Sequence, residues 1–145
     1  MTTVAQLLQE KGRAVWSIAP DATVYDALSL MAEKNVGALV VVEGASVVGI
    51  LSERDYGRKV ILKGKFSKDT LVREIMTDKV YFVRSEQTIE ECMAVMTAEH
   101  IRHLPVLTDD RLTGIVSIGD VVRVTISDKE FLIKQLEHYI AGHRG

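Results

Sequence analysis

Shifted on itself by 65 positions, the chain lays residues 16–61 over residues 81–126 without a gap, and this internal duplication limits the fold more than any other feature. Ten pairs are identical, among them Thr23/Thr88, Gly49/Gly114, Ser52/Ser117, Asp55/Asp120 and Arg58/Arg123. Others exchange apolar for apolar, such as Val24/Ile89 and Val47/Leu112. A fainter echo precedes each copy, where Val4-x-x-Leu7-Leu8 answers Val72-x-x-Ile75-Met76.

Each copy reads alike. A short strand at residues 17–19 or 82–84 leads to a helix opening at Thr23 or Thr88. Thr88-x-x-Glu91 is a capping box, and Thr23-x-x-Asp26 is a weaker form of it. Apolar residues then recur at helical spacing: Val24, Ala27, Leu28 and Met31, and in parallel Ile89, Cys92, Met93 and Met96. Two strand-like runs follow (38–42 with 47–51; 104–107 with 112–116), turned by Gly44 and by Asp109-Asp110. A second helix opens at Ser52 or Ser117. Residues 121–126 are mostly β-branched and locally favour a strand, but the repeat register predicts a helix there. Residues 62–70, with Gly64 and three lysines, suit a solvated connection. Ser127-x-x-Glu130 predicts the start of one more helix, with Leu132, Leu136, Tyr139 and Ile140 on one face and Gly142 as its stop.

One such unit has a thin core. The expectation is therefore an α+β chain, sandwich-like, in which two β-α-β-β-α repeats pack as a pseudo-twofold pair followed by a C-terminal helix. The boundaries fall at residues 1–66, 67–127 and 128–145. Two related crevices between the halves would then be the natural ligand sites.

With 145 residues, 47% of them hydrophobic, the chain has enough material for a full core, and a formal charge of −2 supplies no global basic field for nucleic acid or anionic lipid. The first residues lack the basic and apolar regions of a signal peptide, and no apolar run approaches a membrane span. A single cysteine, Cys92, on the apolar side of a helix suits a buried thiol and a cytoplasmic location.

The residues richest in chemistry are Gly49-Ile50-Leu51-Ser52-Glu53-Arg54-Asp55 and Gly114-Ile115-Val116-Ser117-Ile118-Gly119-Asp120, both Gly-h-h-Ser-x-x-Asp across a strand-to-helix junction. A helix start offers free N–H groups and partial positive charge, which suits phosphate. Ser52 and Ser117 add a hydroxyl, and Asp55 and Asp120 can accept hydrogen bonds from a ribose diol. The same pattern is also an ordinary N-terminal capping arrangement.

The duplicated unit with its recurring Gly-h-h-Ser-x-x-Asp resembles a tandem pair of cystathionine-β-synthase (CBS) domains over about residues 4–127. The resemblance implies clefts for adenine-containing ligands, with Asp55 and Asp120 on ribose and Ser52 and Ser117 near phosphate. It also implies basic ligand residues ahead of a Pro-Val step, a pattern that Arg102-His103-Leu104-Pro105-Val106 fits and Gly37-Ala38-Leu39-Val40-Val41 does not. The first junction instead carries Arg54, Arg58 and Lys59, so the two sites should be unequal. AMP and NAD are the leading ligands, with ATP and S-adenosylmethionine as further candidates.

No nucleophile with a neighbouring base supports an enzyme. His100-x-x-His103 has no third ligand at metal spacing, so no metal is expected. The expectation is a non-catalytic sensor that forms a homodimer and signals to an unidentified protein partner in trans, with neither nucleic acid nor membrane as partner. The alternative is a structural dimerisation module without bound nucleotide.

Overall fold

The computed structural model describes residues 1–143. It is a mixed α+β structure with two three-stranded sheets. Two compact units divide the chain, residues 14–81 and residues 1–13 together with 82–145. These units are offset from the sequence repeats, because each repeat's core recruits a short helix from ahead of the other repeat.

In the unit of residues 14–81, strand β1 (Ser17–Ile18) pairs parallel with β2 (Ala38–Glu43), which pairs antiparallel with β3 (Ser46–Ser52). Helix α2 (Val24–Lys34) connects β1 to β2. Thr23 caps α2 by accepting from the Asp26 N–H, without the reciprocal bond of a full box. Val24, Ala27 and Met31 face the sheet and form a buried cluster with Leu39, Val41 and Leu51. Helix α3 (Glu53–Tyr56) follows β3 and gives way at once to a π-helical turn, Gly57–Ile61, that buries Val60. Residues 62–66 are exposed and Gly64 takes φ 70° in its turn, but Thr70, expected in the same solvated connection, is buried with its hydroxyl donating to the Phe66 carbonyl at 2.8 Å. Helix α4 (Val72–Ile75) then lays Val72 and Ile75 against the same core.

The other unit repeats the plan with β4 (Val83–Arg84), α5 (Ile89–Glu99), β5 (His103–Thr108) and β6 (Arg111–Ser117), while α1 (Val4–Lys11) occupies the place that α4 takes in its counterpart. The duplication extends to detail. Both sheets carry a register shift at equivalent places, Val41/Val42 and Val106/Leu107. Both long helices end on a left-handed residue, Asn35 or His100. The box predicted at Thr88 and Glu91 is complete. Asp109 and Asp110 take φ of 51° and 61°, the pair of positive values that a tight two-residue hairpin turn requires. Where the copies differ, the cause is local. Val40 donates its N–H to Trp16, whereas its counterpart Pro105 has no N–H, and β4 begins one residue later than β1.

Residues 121–126 are helical despite their β-branching. Val121 and Val124 fall on one face and are buried, and the Thr125 hydroxyl donates to the Val121 carbonyl at 2.8 Å. The separate helix expected from Ser127 does not form. A single helix, α6, runs from Ile118 to His143 and passes Ser127 and Gly142 without a break. Residues 126–141 are exposed, and Lys129, Glu130, Leu132, Lys134, Gln135, Leu136 and Glu137 all favour helix continuation.

Candidate functional site

The two Gly-h-h-Ser-x-x-Asp segments occupy equivalent strand-to-helix junctions, one in each unit. Neither glycine is needed for an unusual φ; each makes room for the helix that precedes its neighbouring repeat. A Cβ on Gly49 would lie 2.7 Å from Met76 Sδ and 3.0 Å from the Thr77 carbonyl. One on Gly114 would lie 2.8 Å from both Leu8 methyl carbons. Leu8 and Met76 are the residues that end the faint Val-x-x-h-h echo, so the packing is duplicated along with the sequence.

At the first junction Ser52 is the N-cap of α3. Its hydroxyl accepts from the Asp55 N–H at 3.3 Å, and Asp55 Oδ2 accepts from the Ser52 N–H at 3.0 Å. The other carboxylate oxygen meets the Thr77 hydroxyl and Lys59 Nζ, each at 3.3 Å. Lys59 also donates to the Ile75 carbonyl at 2.9 Å. Capping is therefore part of what this aspartate does, and it holds the carboxylate at the mouth of the helix. Arg54 stands half-buried on α3, and Arg58 is exposed on the π-helical turn.

At the second junction the box recurs. Asp120 Oδ2 accepts from the Ser117 N–H at 2.9 Å, and Ser117 Oγ accepts from the Asp120 N–H at 3.2 Å. The counter-charge is different and closer. Lys11 Nζ, at the end of α1, lies 2.5 Å from Asp120 Oδ2 and donates to the Ile115 carbonyl at 2.8 Å, while Arg123 reaches Oδ1 at 3.3 Å. Burial alone would raise the Asp120 pKa, but hydrogen bonds from Lys11 and Ser117 and the lysine's charge hold it below its ordinary value.

His103 opens β5 directly opposite Ser117 in the ladder, and the Ile118 N–H donates to the Arg102 carbonyl at 2.8 Å. Arg102 is exposed and His103 half-buried, so both join this junction, where the first copy places Gly37 and Ala38 opposite Ser52 and Glu53. Burial, reinforced by Lys11 and Arg102, keeps the His103 pKa low despite Asp120. Pro105 lies buried inside β5 opposite Ile115, away from the junction's exposed edge.

Lys11 and Thr77 were not among the residues expected from sequence. The only sequence signal toward either is the echo ahead of each copy, which marks a packing segment and says nothing about which carboxylate it meets. Among the described residues no group of three His, Cys, Asp or Glu side chains could hold a metal ion. His100 caps α5 in the left-handed region, which explains its position without a ligand role. Cys92 is buried, and burial pushes its thiol up to about 11.

Two units with one plan, each carrying a capped Ser-x-x-Asp junction, define a duplicated α+β fold, and the model of the CBS domain matches residues 4–59 and again residues 72–127. The chain belongs to the CBS domain family, whose tandem members are generally regulatory, ligand-binding modules. It is 42% identical over 151 residues to the CBS domain-containing protein CBSX3, mitochondrial, of Arabidopsis thaliana, covering 97% of this chain and 73% of that one. Among solved structures, a CBS-domain protein from Burkholderia ambifaria is 51% identical with a TM-score of 0.84, covering 88% of this chain and 96% of that one. The CBS domain pair of MJ0100, solved in complex with 5′-methylthioadenosine and S-adenosyl-L-methionine, agrees in fold at 22% identity, with a TM-score of 0.78 over 88% and 98% of the two chains. No helix among the described residues is long and apolar enough to cross a membrane.

Proposed function

We propose that the protein is a non-catalytic cytoplasmic sensor that binds an adenine nucleotide, AMP or NAD in the first instance, and reports its presence to a protein partner in trans. The observation that carries this reading is the duplicated junction. In each unit a serine hydroxyl and a fixed aspartate carboxylate stand together at a helix start, with cationic side chains close by. Asp55 and Asp120 would accept from the ribose hydroxyls, and Ser52 and Ser117 would lie near phosphate. Arg54, Arg58, Arg102 and His103 would supply positive charge, with Pro105 shaping the strand behind them. The adenosine ligands of MJ0100 support the ligand class, and no metal is required. A thermal-shift panel of AMP, ADP, ATP, NAD and S-adenosylmethionine tests the reading. A ligand at 100 times its dissociation constant adds about 2.7 kcal/mol to stability. No response to any adenine compound would leave a structural module as the better reading.

The same reading includes a homodimer through α6. Val122, Ile126, Ile133, Leu136 and Ile140 form a stripe and are each 51–55% exposed. Ile126, Ile133 and Ile140 recur every seven residues, and the alternate seam positions hold Val122, Lys129 and Leu136, an apolar seam with one lysine in it that suits the pairing of two helices. A second copy of the same helix could cover this stripe on either side of Lys129, with Leu132 and Tyr139 of the expected face flanking it. Deleting residues 128–145 should convert a dimer to a monomer in light scattering. A full-length chain that is monomeric at tens of micromolar, with and without AMP, would contradict it.

A further inference from the structure

Helix α1 crosses its unit as a strap whose two ends are held differently. Its N-terminal end is laced to the backbone: the Val4 N–H donates to Gln87 and the Ala5 N–H to Ser85, both at 2.8 Å, and the Ile89 N–H donates to Thr2 at 3.0 Å. The Thr2 hydroxyl adds bonds of 2.9 and 3.0 Å to the Asp128 carboxylate. Apart from the packing of Leu8 beneath Gly114, the C-terminal end is held by Lys11, whose ammonium sits on Asp120 and on the Ile115 carbonyl. The helix ends there, and Gly12 turns the chain away at φ 100°.

Asp120 is the more enclosed of the two junction aspartates, with a side chain 8% exposed against 14% for Asp55. Its close partner is an ammonium brought in by the strap. At Asp55 the corresponding segment offers the hydroxyl of Thr77, and the cation is the nearby, 43% exposed Lys59. By the echo offset the counterpart of Lys11 is Lys79, which instead lies 5.5 Å from the Tyr81 ring centroid. The lysine counter-ion of Asp120 is thus particular to one copy, whereas Arg123, the other cation on it, has an arginine counterpart in Arg58.

We propose that Lys11 is a tethered competitor at the Asp120 junction, so that nucleotide fills the Asp55 junction first and reaches Asp120 only by displacing the lysine and freeing the C-terminal end of α1. This rests on the nucleotide reading above and adds an order of filling and a moving part. A ribose hydroxyl is a weaker partner for a carboxylate than a close ammonium in a poorly solvated site, and the cost of removing the ammonium appears as lost affinity. Occupancy of the second site would be registered by the strap, which leads directly into the other unit.

Isothermal titration with AMP tests this on the full chain, comparing the unaltered protein with Lys11→Met and Lys11→Arg. The unaltered protein should show one tighter and one weaker site. Lys11→Met should tighten the weaker site by about tenfold or more, equivalent to about 1.4 kcal/mol. Lys11→Arg keeps a cation against Asp120 and should leave the weaker site weak, which separates loss of charge from general loosening of the strap. Equal affinities at both sites of the unaltered protein, or a weaker site that Lys11→Met leaves unchanged or weakens further, would overturn the proposal while leaving nucleotide binding intact. Absence of AMP, NAD and ATP binding by all three proteins would overturn both.

Discussion

The Asp55 and Asp120 junctions carry one pattern and one capping geometry, yet they differ in how their carboxylates are neutralised. Asp55 uses a lysine four residues away on its own helical segment, at 3.3 Å and with much of that lysine in solvent. Asp120 has a comparable local cation in Arg123, also at 3.3 Å, and adds a lysine 109 residues away in sequence, at 2.5 Å. A local pair on a short helix is replaceable, because water and neighbouring side chains can take over. A long-range pair in an enclosed site ties a separate segment to the core and leaves a charge stranded when broken. Duplication has therefore preserved the backbone solution while the electrostatics of the copies diverged. The helices that follow differ in step: four α-helical residues and a π-helical turn in one unit, and an unbroken 26-residue helix in the other.

The largest expected difference between the copies lies in the aspartates. Asp120→Ala should lower the unfolding free energy by about 3 kcal/mol, because it removes the helix cap and leaves the partly exposed Lys11 ammonium without its carboxylate. Asp55→Ala should cost about 1 kcal/mol, the loss of a helix cap. Urea denaturation of both variants measures this, and equal losses would break the contrast. AMP affinity should fall with Asp55→Ala by about 1–3 kcal/mol, as expected for a hydrogen bond to a charged group.

The glycines offer an intermediate contrast. Alanine at position 49 meets the Thr77 carbonyl, which is fixed by reciprocal backbone bonds with Ile50 at 2.9 Å, as well as Met76. Alanine at position 114 first meets the methyl carbons of Leu8, a side chain with no fixed backbone carbonyl among the nearest atoms. Gly49→Ala should thus cost about 2–3 kcal/mol and Gly114→Ala about 1 kcal/mol, within the usual range for overpacking. Thermal melts of the pair sharpen the comparison, and the reverse order would contradict it.

The smallest effect is with acid. All four histidines lie outside residues 14–81. The folded pKa of His103 is depressed, so the unfolded chain takes up the proton first. Stability linked to this residue is complete above 6.5 and falls as pH drops through the folded value. The depressed Asp120 carboxyl acts in the same sense at lower pH, its contribution being present above 3.8 and lost as pH falls through its folded value. Amide hydrogen exchange between pH 7 and 5, corrected for intrinsic rates, should show β5 and β6 losing protection while β2 and β3 do not.

The sequence by itself determined the β-α-β-β-α order within each repeat, because that order rests on short-range patterns read twice, but it assigned no helix to residues 4–11 or 72–75. Thr23 and Thr88 cap the helices that start at Val24 and Ile89, Gly44 and Asp109-Asp110 announce their hairpins, and the 65-residue register decided for helix at residues 121–126 against local β propensity. It also determined that Ser52, Asp55, Ser117 and Asp120 share one local geometry, since a box of residues i and i+3 closes on itself. Only the tertiary structure decided which preceding helix packs under which repeat, that Gly49 and Gly114 make room for Met76 and Leu8, that α6 runs on past Ser127, and that Lys11 neutralises Asp120. The physical reason is range. A cap or turn is settled by neighbours within one helical turn, whereas a buried carboxylate takes its counter-charge from whatever the packed core brings near, and no spacing along the chain records that meeting.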